Sequence, residues 1–300
     1  MAGDARDEGS EVMLKRLLHP TNRRVRLAVG LLLAGLFCIQ CTRTEAFKES
    51  EYIIAISGKD FGSNAPAVAS EIERLAKTDQ ISLLQRCLDH YNGNYSDYVC
   101  IFDKEERING VARPQQEIAV KHMVQPFSVV MTWTKQAPVG DKVLYAEGKY
   151  DNQMLVRPKS PIIQALTGGA VLRKPDGQEA MSNTLRPVNM FGFGRTLKGL
   201  IGVYKEAEAH GDLRTAFGGY AQVAGRKCVV LVRYLPAKND YPAYKTVIYI
   251  DVDHLVPTCI EGYDWDEQLQ CRYIYRDVKF NVGLTETDFT PEANGLKLPS

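Results

Sequence analysis

Two long stretches of the sequence consist of short β-type segments separated by turn residues, and this feature constrains the fold most. The segments are rich in Val, Ile, Phe, Tyr, Trp and Thr and fall at 96–108, 115–123, 127–134, 141–147 and 154–157, then at 215–223, 226–234, 244–252, 256–264 and 271–281. Turn-forming pairs such as Asn109-Gly110 and Ala224-Gly225 lie between them. Connections this short join antiparallel neighbours. The pattern therefore predicts two antiparallel meanders.

Helical spacing precedes the first meander and separates it from the second. The helical segments are 71–77, 81–91, 161–166 and 197–204. Asp79 is placed to cap the second of them. This order predicts an α+β fold, in which one curved antiparallel sheet, an open half-barrel, wraps around helices in a single β-rich domain over 65–300. The alternative, a split near residue 160, would leave two half-domains with few strands to cover a core.

The N-terminal part has the pattern of a targeting signal. Basic residues from Lys15 to Arg26 precede a continuous apolar run from Leu27 to Ile39. A helix of this length spans about 20 Å, against roughly 30 Å of bilayer hydrocarbon. Residues 1–46 are therefore interpreted as a signal peptide, with a retained N-terminal membrane anchor as the alternative. Residues 47–64 are expected to form a linker, and the protein is expected in the periplasm or cell envelope.

Charge and motifs exclude several classes of function. Seven of the 37 Lys and Arg and five of the 36 Asp and Glu lie in residues 1–46, which leaves 30 against 31 and a net charge of −1. This near-neutral body argues against a nucleic-acid partner. Gly192-Phe-Gly194 lacks the third glycine of a dinucleotide loop. Asp251, Asp253 and His254 fit a strand-ending turn better than a metal site. We expect neither a metal nor a cofactor.

Five cysteines follow the predicted signal segment, and an oxidising compartment would allow them to pair. Cys259 and Cys271 flank a predicted hairpin, which makes them the best candidates for a disulfide. Buried free thiols are the alternative.

The first meander carries the most specific pattern in the chain. It reads Tyr98-Val-Cys-Ile-Phe-Asp-Lys-Glu-Glu-Arg-Ile-Asn-Gly110, followed by Ile118-Ala-Val-Lys121 and Pro126-Phe-Ser-Val129. Together with later segments of the chain, this pattern resembles the bacterial family known as domain of unknown function 1571. The resemblance covers residues 80–295. That family is similar to outer-membrane lipoprotein-sorting and lipoprotein-carrier proteins. The resemblance implies an open, strongly curved sheet around helices, whose concave face holds acyl chains or hydrophobic peptide.

A sheet that curls around helices too small to fill it leaves an apolar hollow. The candidate lining residues are Phe127, Val129, Met131, Trp133 and Tyr145. Alternation places the first four on one face of a strand, where they could equally well pack the core. Because the family resemblance spans their segments, Glu106 and Lys121 are further functional candidates. The alternative for such charged residues is ion pairing between exposed strands.

Two functions follow from these observations. The first is an exported cell-envelope binding protein that holds a lipid, acyl chain or hydrophobic peptide, with a membrane or a lipoprotein as a further partner. The second is an envelope hydrolase or transferase with a dispersed site. No catalytic motif supports the second function, so binding is the preferred expectation.

Overall fold

One antiparallel sheet of 13 strands dominates the part of the chain that the computed structural model describes, residues 47–56 and 67–298. The strands are β1 (Ile53–Ile56), β2 (Asp97–Ile108), β3 (Val111–Ala112), β4 (Gln116–Met123), β5 (Ser128–Lys135), β6 (Gly140–Ala146), β7 (Met154–Pro158), β8 (Val171–Arg173), β9 (Arg214–Val223), β10 (Arg226–Tyr234), β11 (Lys245–Asp251), β12 (Pro257–Tyr263) and β13 (Leu269–Phe280). Their order is β1-β9-β10-β11-β12-β13-β2-β4-β5-β6-β7-β8, and β3 pairs with β2 beside it. The sheet is open, since β1 and β8 form separate edges. Because β13 pairs with β2, the strands on both sides of residue 160 form one sheet.

Local turn chemistry places the strand ends close to where the sequence predicts them. Asn109 and Gly110, between β2 and β3, have φ values of 51° and 77°. Ala224 and Gly225, between β9 and β10, have φ values of 47° and 83°. Two consecutive residues with positive φ give a hairpin turn whose twist matches that of the strands. The prediction of two antiparallel meanders is confirmed.

Helices lie in three connections of the sheet, between β1 and β2, between β7 and β8, and between β8 and β9. In the described residues they are α1 (Ala67–Thr78), α2 (Gln80–Asn94), α3 (Pro161–Thr167), α4 (Gln178–Met181) and α5 (Phe193–Ala209). Asp79 caps α2 as predicted, because its Oδ1 accepts a hydrogen bond from the Ser82 backbone N–H at 2.9 Å. None of these helices has the length and apolarity needed to cross a bilayer. The predicted targeting segment, residues 1–46, lies outside the described residues.

Helices α1, α2 and α5 pack against one face of the sheet. The largest core cluster joins Leu84 of α2 and Leu197 of α5 to Tyr220 of β9 and Met154 of β7. Strands β9 and β7 stand near opposite ends of the strand order, so the sheet must curl around the helices for both to join one cluster. The predicted open, curved sheet around helices is confirmed, and removal of these apolar side chains from water is its main source of stability.

Part of the segment predicted as a linker belongs to the sheet. Ile53–Ile56 forms β1, in which Ile53 pairs with Val223 at the edge of β9. Before this strand, the Lys48 carbonyl accepts a hydrogen bond from Arg272 Nη1 at 2.9 Å. The prediction of a linker over 47–64 is wrong for these residues, because their apolar, β-branched run completes the sheet edge. Residues 57–64 lie outside the described part.

The five cysteines of the described chain are free and buried, so the predicted Cys259–Cys271 disulfide is not formed. Cys259 pairs in register with Ile274, whereas Cys271 pairs with Gly262. Three residues along a strand correspond to about 10 Å, and a disulfide needs Cα atoms within about 7 Å. Cys259 also packs in a separate cluster with Ile274, while Cys271 belongs to the main core. The register therefore prevents the bridge.

Candidate ligand-binding cavity

A cavity of about 480 Å³ lies between the inner face of the sheet and the connection from β8 to α5. Its wall on the sheet side consists mainly of apolar side chains from adjacent strands: Ile118, Met131, Val143, Met154, Val156 and Val171. Alternate side chains of each strand point to the same face, so neighbouring strands produce a continuous apolar wall. The volume falls within the range of small-molecule pockets, about 300–1,000 Å³.

The connection between β8 and α5, residues 174–192, covers the cavity. It contributes Ala180, Val188 and Phe191 to the lining. Three apolar lining residues, Val139, Ile163 and Met190, are exposed to solvent, by 62%, 46% and 46%. We call these three residues the mouth. An apolar wall that continues into an exposed apolar mouth is typical of a ligand-binding groove.

Helix α3 forms one side of the mouth. Pro161 occupies its first turn, and Gly168, with a φ of 71°, ends it. Ile163 and Thr167 are four residues apart, so they share one helix face, and both line the cavity. Ile162 is 73% exposed and does not line the cavity. Adjacent isoleucines therefore differ in whether they face the cavity.

Two of the five predicted lining residues line the cavity. Met131 and Trp133 of β5 both contribute to its wall. The indole Nε1 of Trp133 donates a hydrogen bond to Gln116 Oε1 at 2.7 Å, which orients the ring. Alternation along β5 correctly assigned both residues to the inner face.

The other three predicted lining residues, Phe127, Val129 and Tyr145, are buried in the main core. The Phe127 ring packs edge-on against Tyr145, with centroids 5.9 Å apart. The guanidinium of Arg195 in α5 lies over the Phe127 ring, with its Cζ 3.6 Å from the ring centroid. Because the start of α5 covers this end of β5, the core-packing alternative applies to these residues. The two-residue period of a strand predicts which side chains share a face, but it does not predict where a helix covers that face.

Four polar side chains meet on the β2–β13 side of the cavity: Lys104, Glu106, Thr184 and Tyr273. Lys104 Nζ lies 3.1 Å from Glu106 Oε2. The Tyr273 hydroxyl donates to Glu106 Oε1 at 2.7 Å, and the Thr184 hydroxyl donates to the same oxygen at 3.2 Å. A buried carboxylate is thus held by one cation and two hydroxyl groups. We call these residues the polar cluster.

The polar cluster contains two residues that are close in sequence and two that come from distant segments. Lys104 and Glu106 are two residues apart on β2 and share one face, as their alternation indicates, and in the structure this face lines the cavity. Tyr273 is the register partner of Lys104 on β13, and Thr184 comes from the covering connection. Burial, with smaller contributions from Cys271 and Glu106, holds the pKa of Tyr273 well above its usual range. The phenol therefore remains a hydrogen-bond donor at neutral pH.

Lys121 is not brought together with Glu106. Its Nζ contacts Asn294 Oδ1 at 3.5 Å, near the C-terminal end of the described chain. Its β4 neighbour Val120 points into the main core. Because alternate residues of a strand face opposite ways, Lys121 lies on the outer face of the sheet.

The family described as protein of unknown function (DUF1571) matches residues 95–297, which is more than half of the chain. This chain belongs to that family. The predicted resemblance is thus confirmed, and the matched region includes the cavity and its polar cluster. No curated protein gives a significant match to the chain.

Several solved structures are similar to this DUF1571 protein. The complex of MucA and MucB from Pseudomonas aeruginosa has 14% identity and a TM-score of 0.44, covering 74% of this chain and 64% of that chain. Lipoprotein LppX of Mycobacterium tuberculosis has 10% identity and a TM-score of 0.40, covering 69% and 99%. A LolA superfamily protein of Nitrosomonas europaea has 10% identity and a TM-score of 0.31, covering 70% and 98%. The chain thus spans less than two thirds of the MucA/MucB chain that it matches.

Proposed function

We propose that this protein binds the apolar part of a lipid, an acyl chain or a hydrophobic peptide in the cavity beneath residues 174–192. The observation that carries the proposal is the continuity of the apolar wall with the exposed apolar mouth. Each methylene group removed from water contributes about 0.8 kcal/mol. Eight buried methylenes would therefore supply roughly 6 kcal/mol before the costs of association.

The lining favours binding over catalysis. The described lining residues include neither histidine nor cysteine. The acidic group of the polar cluster, Glu106, is already occupied by Lys104 and two hydroxyls. A carboxylate paired in this way orients a ligand more readily than it activates a nucleophile. The alternative, an envelope hydrolase or transferase, would require turnover of an ester or amide substrate by the purified protein.

We further propose that the protein acts in the cell envelope after export. The basic residues before the apolar run of Leu27 to Ile39 support this location. A membrane or a lipoprotein would then be the donor or acceptor of the bound chain. N-terminal sequencing of protein from separated envelope and cytosolic fractions tests the location, and an intact cytosolic N-terminus would contradict it.

The binding proposal is tested with N-phenylnaphthylamine, an uncharged fluorescent probe that brightens in apolar surroundings. We expect saturable uptake by the wild type. Ile163→Asp places a carboxylate at the mouth and should weaken binding by about tenfold or more, because a charge must then lose water on ligand entry. Ile162→Asp is the matched control, since Ile162 belongs to the same helix but does not line the cavity.

Tryptophan fluorescence gives a second measurement of ligand binding at the cavity. The chain has two tryptophans, and Trp265→Phe leaves Trp133, in the cavity wall, as the only one. Ligand uptake should then change the emission of Trp133. Absence of probe binding by the wild type, or equal loss in both isoleucine variants with intact thermal melts, would overturn the proposal.

A further inference from the structure

We propose that the cavity selects a single-chain amphiphile with an anionic head group, which lies against Arg186 while the chain runs along β5 to β8. This inference rests on the proposed function. It adds the chemical class of the ligand and its orientation in the cavity.

The first argument is the charge balance of the cavity. Five charged side chains line it: Lys104, Glu106, Arg173, Glu179 and Arg186. Lys104 pairs with Glu106, and Arg173 pairs with Glu179. Within the described chain, Arg186 has no carboxylate at ion-pair distance. The lining therefore carries one uncompensated positive charge, which favours an anionic ligand.

The second argument is the setting of Arg186. Its Cζ lies 5.6 Å from the centroid of the Tyr273 ring, so the guanidinium rests beside the polar cluster. Arg186 is solvent-exposed at the edge of the covering connection. Its fork of N–H donors matches the oxygens of a carboxylate or a phosphate. The Thr184 hydroxyl, two residues earlier, lies in the same cluster.

A second cation without a carboxylate partner reinforces the positive potential. Arg233 of β10 is 2% exposed, and its Nε and Nη1 have no hydrogen-bond partner. Its Nη2 donates to the Thr246 hydroxyl at 2.8 Å. Burial, together with a smaller effect of the Arg186 charge, lowers the pKa of Arg233 to about 10. Arg233 thus stays charged at neutral pH and lies within electrostatic reach of Arg186.

The third argument is the distribution of polarity across the sheet. The polar cluster and Arg186 lie at the β2–β13 end of the cavity, whereas β5 to β7 contribute Met131, Val143, Met154 and Val156. The other charged lining residues, Arg173 of β8 and Glu179, neutralise each other in an ion pair. From β2 to β7 there are four strand steps, or about 19 Å along the sheet. A molecule with one polar end and one long apolar chain matches this gradient.

The test compares three ligands with the same chain: palmitate, hexadecyl phosphate and hexadecanol. Each is titrated against protein carrying N-phenylnaphthylamine, at a pH where the carboxylate is ionised. We expect at least one anion to bind about tenfold more tightly than hexadecanol, the effect of a charge-assisted hydrogen bond. The stronger of the two anions identifies the head group as carboxylate or phosphate.

Arg186→Gln should abolish the preference for the anion and leave hexadecanol affinity unchanged. Arg214→Gln is the matched control, because Arg214 is exposed and does not line the cavity, and it should keep the preference. Equal wild-type affinity for all three ligands, or a preference that survives Arg186→Gln, would overturn the head-group inference alone. Failure of the wild type to bind the neutral probe and all three ligands would overturn the proposed function as well.

Discussion

The imidazole of His122 is enclosed in the core without a hydrogen-bond partner, and we expect its protonation to destabilise the folded protein. Its side chain stacks on Tyr98, with ring centroids 4.7 Å apart, and neither ring nitrogen has a partner. Gly192 lies so close that a Cβ there would be 2.7 Å from His122 Nε2. Burial, and to a smaller degree the charge of Arg195, lowers the pKa of His122 to about 3.

The direction of the effect follows from proton binding. The unfolded chain takes up a proton on this imidazole near pH 6.5, whereas the folded protein does so only near pH 3. The full contribution to stability is therefore present above about pH 6.5 and is lost as the pH falls toward about 3. At about pH 5 the loss amounts to about 2 kcal/mol. Burial holds the pKa of the neighbouring Tyr98 well above this range, so its phenol does not compensate.

The measurement is urea unfolding of the wild type and of His122→Leu, each at about pH 7.5 and about pH 5. The free energy of unfolding should fall by about 2 kcal/mol more in the wild type than in the variant. Val223→Ala, which removes buried apolar volume in a separate cluster but no titrating group, should lower stability at both pH values equally. An identical pH dependence in the wild type and His122→Leu would refute the reasoning.

Two further predictions concern buried groups. Arg272 forms ion pairs with Glu105 and Glu261 at 2.8 and 2.7 Å. Arg272→Met should therefore lower the free energy of unfolding in urea by about 3–5 kcal/mol, because it leaves two buried carboxylates without a partner. Adding Glu105→Gln and Glu261→Gln to this variant should restore most of the lost stability. A cost below about 1 kcal/mol would contradict this account. The five buried thiols should resist Ellman's reagent until the protein unfolds, because burial raises their pKa values, that of Cys87 to about 12. A Cys259–Cys271 peptide in non-reduced digests would disprove the observed register.

Most secondary structure could be predicted from the sequence, because its determinants are local. The turn at Asn109-Gly110 needs only residues that tolerate positive φ, and the cap at Asp79 needs only a short side chain before the helix. Alternation also predicted that Lys104 shares a face with Glu106, and Met131 with Trp133, and both pairs line the cavity. β1 was missed because a four-residue strand at an edge carries little periodic signal.

What only the tertiary structure decided depends on contacts between distant segments. Strand pairing put Cys271 opposite Gly262 and so separated it from Cys259. The position of α5 turned Phe127 and Val129 into core residues while Met131 and Trp133 remained at the cavity. Thr184 and Arg186 reach the site only because the connection between β8 and α5 folds over the sheet. The two-residue period of a strand determines which face of the sheet a side chain occupies. Which segment covers that face depends on packing between distant parts of the chain, and no local sequence pattern encodes that packing.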